Sequence, residues 1–188
     1  LYQQLTALHL SDNPAALTDI TLDRLAFARE NSTLPRKDSL YLEALQAQSA
    51  TLNVGEEKSA VMLAIAQWHV DQAGNYQRLA PDSAFKWEKK TAVDICREIA
   101  SHPQEPFAAK RATALLTQWT QPTFQVQAEE ATTPDVPFRI SVNYTNTKHL
   151  WLRIVKSDGK PDARYNDGDW QKRILKLPAL REWNVDLP

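Results

Sequence analysis

The apolar residues of this chain change their period at Pro122. Before it they recur every three or four positions, and after it they alternate. A helix returns a side chain to the same face about every 3.6 residues and a strand every second residue, so one type of element cannot serve both patterns. The switch therefore predicts an α+β fold of two domains. Residues 1–121 are expected to form antiparallel helical hairpins. Residues 122–188 are expected to form part of an antiparallel β-sheet or β-sandwich domain.

In the first part, Leu22, Leu25 and Ala26 share one face of a helix over Thr18 to Glu30, which Asn31-Ser32 and Pro35 end. Asp38 is placed to cap a second helix from Ser39 to about Leu52, with a stripe of Tyr41, Leu45 and Leu52. Gly55 then breaks the chain. A third helix, Glu56 to Ala73, carries Val61, Ile65 and Trp68 beside Met62, Ala66 and His69, an apolar face broad enough for a central position. Asp82 or Ser83 is expected to cap a fourth, bearing Phe85, Ala92, Cys96 and Ile99 and stopped by His102-Pro103. A fifth runs from Glu105 or Pro106 to Trp119 with Ala108, Ala112 and Leu115 inward.

Beyond Pro122, Phe124, Val126 and Ala128 alternate with polar residues, as do Phe138, Ile140, Val142 and Tyr144 after a turn at Pro134 to Pro137. Both segments are expected to be half-buried. Asn146-Thr147 reads as a hairpin turn into a strand of Leu150, Leu152 and Ile154 that Asp158-Gly159 ends. Lys160 to Gln171, rich in Asp, Gly, Lys and Arg, reads as an exposed loop around Trp170. Trp183, Val185 and Leu187 mark a last strand. About four strands is fewer than the roughly seven of a two-layer sandwich, so an edge or face is expected to lie uncovered.

Charge excludes some partners. Lys and Arg total 22 against 23 acidic residues, a net charge of -1, which gives no electrostatic basis for binding nucleic acid. The longest apolar run, Ala60 to Ala66, is far shorter than the roughly 20 residues of a membrane span, so insertion by this segment is not expected. The start at Leu1, with neither Met nor a signal segment, fits a piece of a longer polypeptide. The single cysteine, Cys96, cannot form an internal disulfide and leaves the compartment open.

Tested one by one, the chemistry-bearing residues yield no catalytic, cofactor-binding or metal-binding constellation. Cys96 lies on an apolar stripe, where it packs as a small hydrophobe. His9, His69, His102 and His149 show no zinc spacing; His69 suits a core or interface, and His102 suits capping of the helix before it. Asp158, Asp162, Asp167 and Asp169 flank Gly159 and Gly168. Counting back from Gly168 as the sixth position of a calcium loop puts Ala163 where the first carboxylate must stand, which favours turns. Glu56-Glu57 and Glu129-Glu130 are adjacent pairs, unsuited to acid–base work; Glu56 and Glu57 suit a helix start. Trp170 and Trp183, indoles set among polar residues, are the candidate interaction surface. Such rings stack on a sugar or a partner, or bury against further strands.

Two resemblances add to this. Leu63-Ala64-Ile65-Ala66-Gln67-Trp68-His69 with Gly74-Asn75-Tyr76 resembles the first helix and turn of a tetratricopeptide repeat, Ala92 to Pro103 its second helix, and Ala109 to Trp119 the opening of the next. The segment Gln77 to Lys90 is longer than that family's turn, and no period of about 34 residues can be laid over the chain.

The second resemblance begins at Ala114-Leu115-Leu116-Thr117-Gln118-Trp119 and Pro122-Thr123-Phe124-Gln125-Val126. It continues through Pro137-Phe138-Arg139-Ile140-Ser141-Val142-Asn143-Tyr144-Thr145-Asn146 and Leu150-Trp151-Leu152-Arg153-Ile154-Val155, and closes at Glu182-Trp183-Asn184-Val185-Asp186-Leu187-Pro188. These segments are similar to the N-terminal region of large bacterial alpha-2-macroglobulin-like proteins, in which a helical region precedes the first macroglobulin-type β-domain. Arg24-Leu25 and Tyr41-Leu42-Glu43-Ala44-Leu45 agree more weakly. The resemblance implies a structural, non-enzymatic region of a periplasmic or cell-envelope protein, acting as a protease trap, an endopeptidase inhibitor or in defence. Its implied partners are proteins: neighbouring domains of the same chain, or proteases. Some members carry an internal thioester. Here Cys96 is followed by Arg97-Glu98-Ile99 and not by Glu-Gln, so that motif is absent. The alternative is a module that binds a peptide or glycan through the helical-repeat face or the Trp-bearing loops.

Overall fold

The computed structural model describes residues 1–9, 13–77, 84–102, 104–129, 133, 136–156 and 168–187, the side chains of 168–171 excepted. The fold is α+β, with seven helices and two small antiparallel two-stranded sheets among the described residues. The chain divides into two compact units, Leu1–Thr120 and Gln121–Pro188.

The first unit contains α1 (Tyr2–His9), α2 (Pro14–Asn31), α3 (Lys37–Thr51), α4 (Glu56–Ala73), α5 (Glu88–Ala100) and α6 (Pro106–Thr120). α2 begins four residues before its expected start. Asn13 takes the cap position with its Oδ1 accepting from Ala16 N at 3.1 Å, and Pro14 supplies a preset φ at the first helical position. Asp38 does not cap α3. Arg36 holds that position without a side-chain bond, and Asp38 sits in the first turn, where its carboxylate accepts from Arg29 Nε at 2.7 Å. Phe85 is likewise outside α5: its φ of 63° is incompatible with a right-handed helix, which starts at Glu88. Asp82 and Ser83 lie outside the described residues.

α4 packs on α2, α3, α5 and α6. Its broad apolar face serves two core clusters. Val61 and Ile65 meet Leu45 together with Leu22, Leu25, Tyr41 and Leu52. Leu63 and Ala66 meet Ala92, Cys96, Ile99, Ala112 and Trp119. Met62 and Ile95 touch both clusters, which ties the helices into one core. Burying each large aliphatic side chain stabilises the fold by about 1.5–3 kcal/mol.

The second unit contains β1 (Thr123–Ala128), β2 (Ile140–Thr145), β3 (His149–Val155), α7 (Gly168–Leu175) and β4 (Ala179–Asp186). β1 pairs with β2, matching Phe124 with Tyr144 and Val126 with Val142, while β3 pairs with β4, matching Leu152 with Trp183. Asn146-Thr147 is therefore not a hairpin turn: β2 and β3 belong to different sheets. Asn146 adopts φ 53°, a left-handed conformation that asparagine tolerates, and so redirects the chain between the two ladders. The expected loop over Lys160 to Gln171 is corrected at its end, since 168–171 open α7; its earlier residues, with Asp158, Gly159, Asp162 and Asp167, lie outside the described residues. The expected half-burial of β1 is not met. All six of its residues are exposed, Phe124 at 65%.

Candidate functional site

The tryptophans expected to form an interaction surface occupy different settings. Trp170 stands in the first turn of α7, with its side chain outside the described residues. Trp183 is half-buried on β4 and carries the Arg181 guanidinium 5.3 Å over its ring, so a cation already covers one stacking face. Trp151 is an open indole, 80% exposed on β3. It lines a pocket of about 520 Å³ with Arg153, Leu175, Glu182, Trp183 and Asn184. Arg153 binds this pocket to the end of α7, donating to the carbonyls of Leu175 at 2.8 Å and Leu177 at 3.1 Å and pairing with Glu182 at 3.1 Å. The signal for Trp151 was present in the alternation: if Leu150 and Leu152 face one side of a strand, Trp151 faces the other.

In the helical unit, burial pushes the Cys96 thiol up to about 11, so at neutral pH it is protonated and a poor nucleophile. His69 Nδ1 meets the Glu88 carboxylate, with the ring edge-on to Trp68 at 5.1 Å. His149 Nδ1 meets Asp186 Oδ1 at 2.6 Å across the β3–β4 ladder. No group of three or more His, Cys, Asp or Glu side chains gathers to hold a metal ion among the described residues, and no helix of the described residues is long and apolar enough to cross a membrane.

Arg29 links three helices by donating to Asp38 at 2.7 Å and Asp71 at 3.0 Å while stacking over Tyr41 at 5.1 Å. Burial opposes its charge, but the bonds to the two carboxylates outweigh burial and raise its pKa. Beside it lies a pocket of about 430 Å³ between α2, α4 and α6, lined by Asp19, Asp23, Gln67, Trp68 and Arg111.

A third constellation joins the start of α4 to the start of α6. Glu56 accepts from the backbone N–H groups of Phe107 at 3.0 Å and Ala108 at 2.9 Å, so a carboxylate on one helix caps another. Glu105, directly before α6, is only 2% exposed, and its Oε2 accepts from the Ser59 hydroxyl. Its Oε1 faces His102 Nδ1 at 4.0 Å, and both atoms are buried without a hydrogen-bond partner. The expected capping role of His102 is not what its Nδ1 performs. The end of α5 is satisfied by Ser101, whose backbone N–H reaches the Arg97 and Glu98 carbonyls and whose hydroxyl donates to Glu98 O at 2.7 Å. Nor is this a nucleophilic triad, because the Ser59 hydroxyl is bonded to the acid and not to the imidazole. Glu56 was expected at a helix start, but its service to a second helix rests on partners 51 and 52 residues away, which no local pattern shows.

No protein-family model, curated protein or solved structure matches this chain.

Proposed function

We propose that the chain is a non-catalytic structural and interaction region, the N-terminal part of a bacterial alpha-2-macroglobulin-like protein of the periplasm or cell envelope. In it, tetratricopeptide-like helical hairpins precede the first strands of a macroglobulin-type β-sandwich. The observation that carries the proposal is the uncovered apolar face of the β1–β2 ladder, where Phe124 is 65%, Val126 45% and Ile140 37% exposed. An alternating strand with one bare apolar side needs a second layer, which neighbouring domains of the same protein would provide. Protease trapping would then belong to the whole assembly. The resemblance of the segments around Trp119, Tyr144 and Trp183 supports the family reading; the bare face supports the incomplete sandwich.

The test is to sequence and express the parent polypeptide at full length. Further β-domains after Pro188, together with loss of Phe124 exposure to a hydrophobic probe, are expected. A parent without such domains would sink the family assignment, and one that retains no protease would remove the trapping role while leaving the scaffold.

A second reading is favoured by Trp151. An open indole beside Arg153, Glu182 and Asn184 combines a stacking surface with polar groups, the chemistry that holds a sugar ring or a peptide. A glycan and peptide array probed with the wild-type chain and Trp151→Ala tests it: binding lost in the variant supports the module, and binding unchanged or absent rejects it.

A further inference from the structure

We propose that the pocket between the start of α4 and the α5–α6 junction binds a compact cation bearing N–H donors, an alkylammonium or a guanidinium group. This inference is independent of the family assignment. The pocket, of about 170 Å³, is lined by Lys58, Ser59, Met62, Glu98, His102 and Glu105. Glu105 is 2% exposed, and Ser59 accounts for only one of its two oxygens. Its Oε1 and His102 Nδ1 are buried and unpartnered 4.0 Å apart, too far to bond each other directly.

A single nitrogen carrying two hydrogens spans that gap, since donor–acceptor distances of about 2.9 Å to both atoms form a triangle on a 4.0 Å base. The charge of the ligand follows from the carboxylate. Lys58 and Glu98 line the pocket with opposite charges, and His102, 4.0 Å away, pairs with Glu105 only when its ring is protonated. Beside a neutral ring the Glu105 carboxylate therefore has no ion-pair partner among the described residues, in a site where an unpaired ion is costly. A neutral donor would satisfy the oxygen and leave the charge. Met62 and the neighbouring Ile99 and Val54 add an apolar wall for the short alkyl stem.

The experiment titrates the 188-residue chain with ethylammonium and with tetramethylammonium, which has the same charge but no N–H, and follows backbone amide resonances. Saturable shifts confined to residues 54–62 and 98–105 with ethylammonium alone are expected, weakened about tenfold or more in Glu105→Gln. A blocked peptide with one central Lys separates the two sources of this chemistry: a response weaker than that to ethylammonium assigns the pocket to a free amine, an equal or stronger one to a side chain. Equal responses to the two small cations, shifts elsewhere, or no saturation would overturn the proposal. The comparison of cations on the wild-type chain requires no variant to fold.

Discussion

The helical unit and the β unit solve burial differently. Every described residue that is buried lies in the helical unit, from Thr18 to Trp119; the described residues of the β unit are half-buried at best. The cause is the geometry of each element. A helix completes its backbone bonds internally and needs only one apolar stripe covered, which α4 gains from α2, α3, α5 and α6. A two-stranded ladder leaves its outer edges and one apolar face unsatisfied, and such a pair is marginal alone. Among its described residues, ladder bonds give the β unit local order without a buried core.

Removing core volume gives the largest separation of the two. Leu45→Ala, at a fully buried position, is expected to lower unfolding free energy by about 2–5 kcal/mol in a denaturant titration. Next comes the thiol. The folded state holds Cys96 at about 11 against an ordinary 9.0, so its contribution is intact below pH about 9 and is lost as pH rises through 11. Stability of the helical unit should fall across that window by at most about 3 kcal/mol, and Cys96→Ala should flatten the fall. A pH profile that is identical in the variant would show that the thiol is not the cause.

Glu56→Ala removes both bonds to the first N–H groups of α6 and is expected to cost about 1–2 kcal/mol, whereas Glu57→Ala, its neighbour, should stay within about 0.5 kcal/mol. Equal effects would mean that helix-end charge alone matters. The smallest change is expected in the β unit: Phe124→Ser, at a side chain already 65% exposed, should alter stability by less than about 0.5 kcal/mol while reducing binding of a hydrophobic dye.

The same contrast explains what the sequence revealed. α4 was legible to the residue because Gly55 and Gly74 bracket one uninterrupted period. The short helix α1 was not, having no buried residue to mark a face, and the start of α2 lies ahead of the first periodic leucines, where the cap-and-proline pair Asn13-Pro14 is the signal that marks it. The strands were visible in their alternation, yet alternation does not say which strand pairs with which, and Asn146-Thr147 looked like a hairpin because its left-handed residue suits one. Among site residues, Trp183 was found on a strand beneath Arg181, and Trp170 began a helix where acidic and glycine residues had suggested a loop. The Ser59–Glu105 contact spans 46 residues and arises only from packing.

Amide hydrogen exchange on the intact chain tests the central contrast most directly, because it reads local opening of both units in one sample. Amides in the middle of α4 and α5 are expected to exchange orders of magnitude more slowly than those of β1 to β4, and slowest where Val61, Ile65 and Cys96 lie. Strand amides protected as strongly as those of α4 would contradict it, since the β unit would then possess a core of its own.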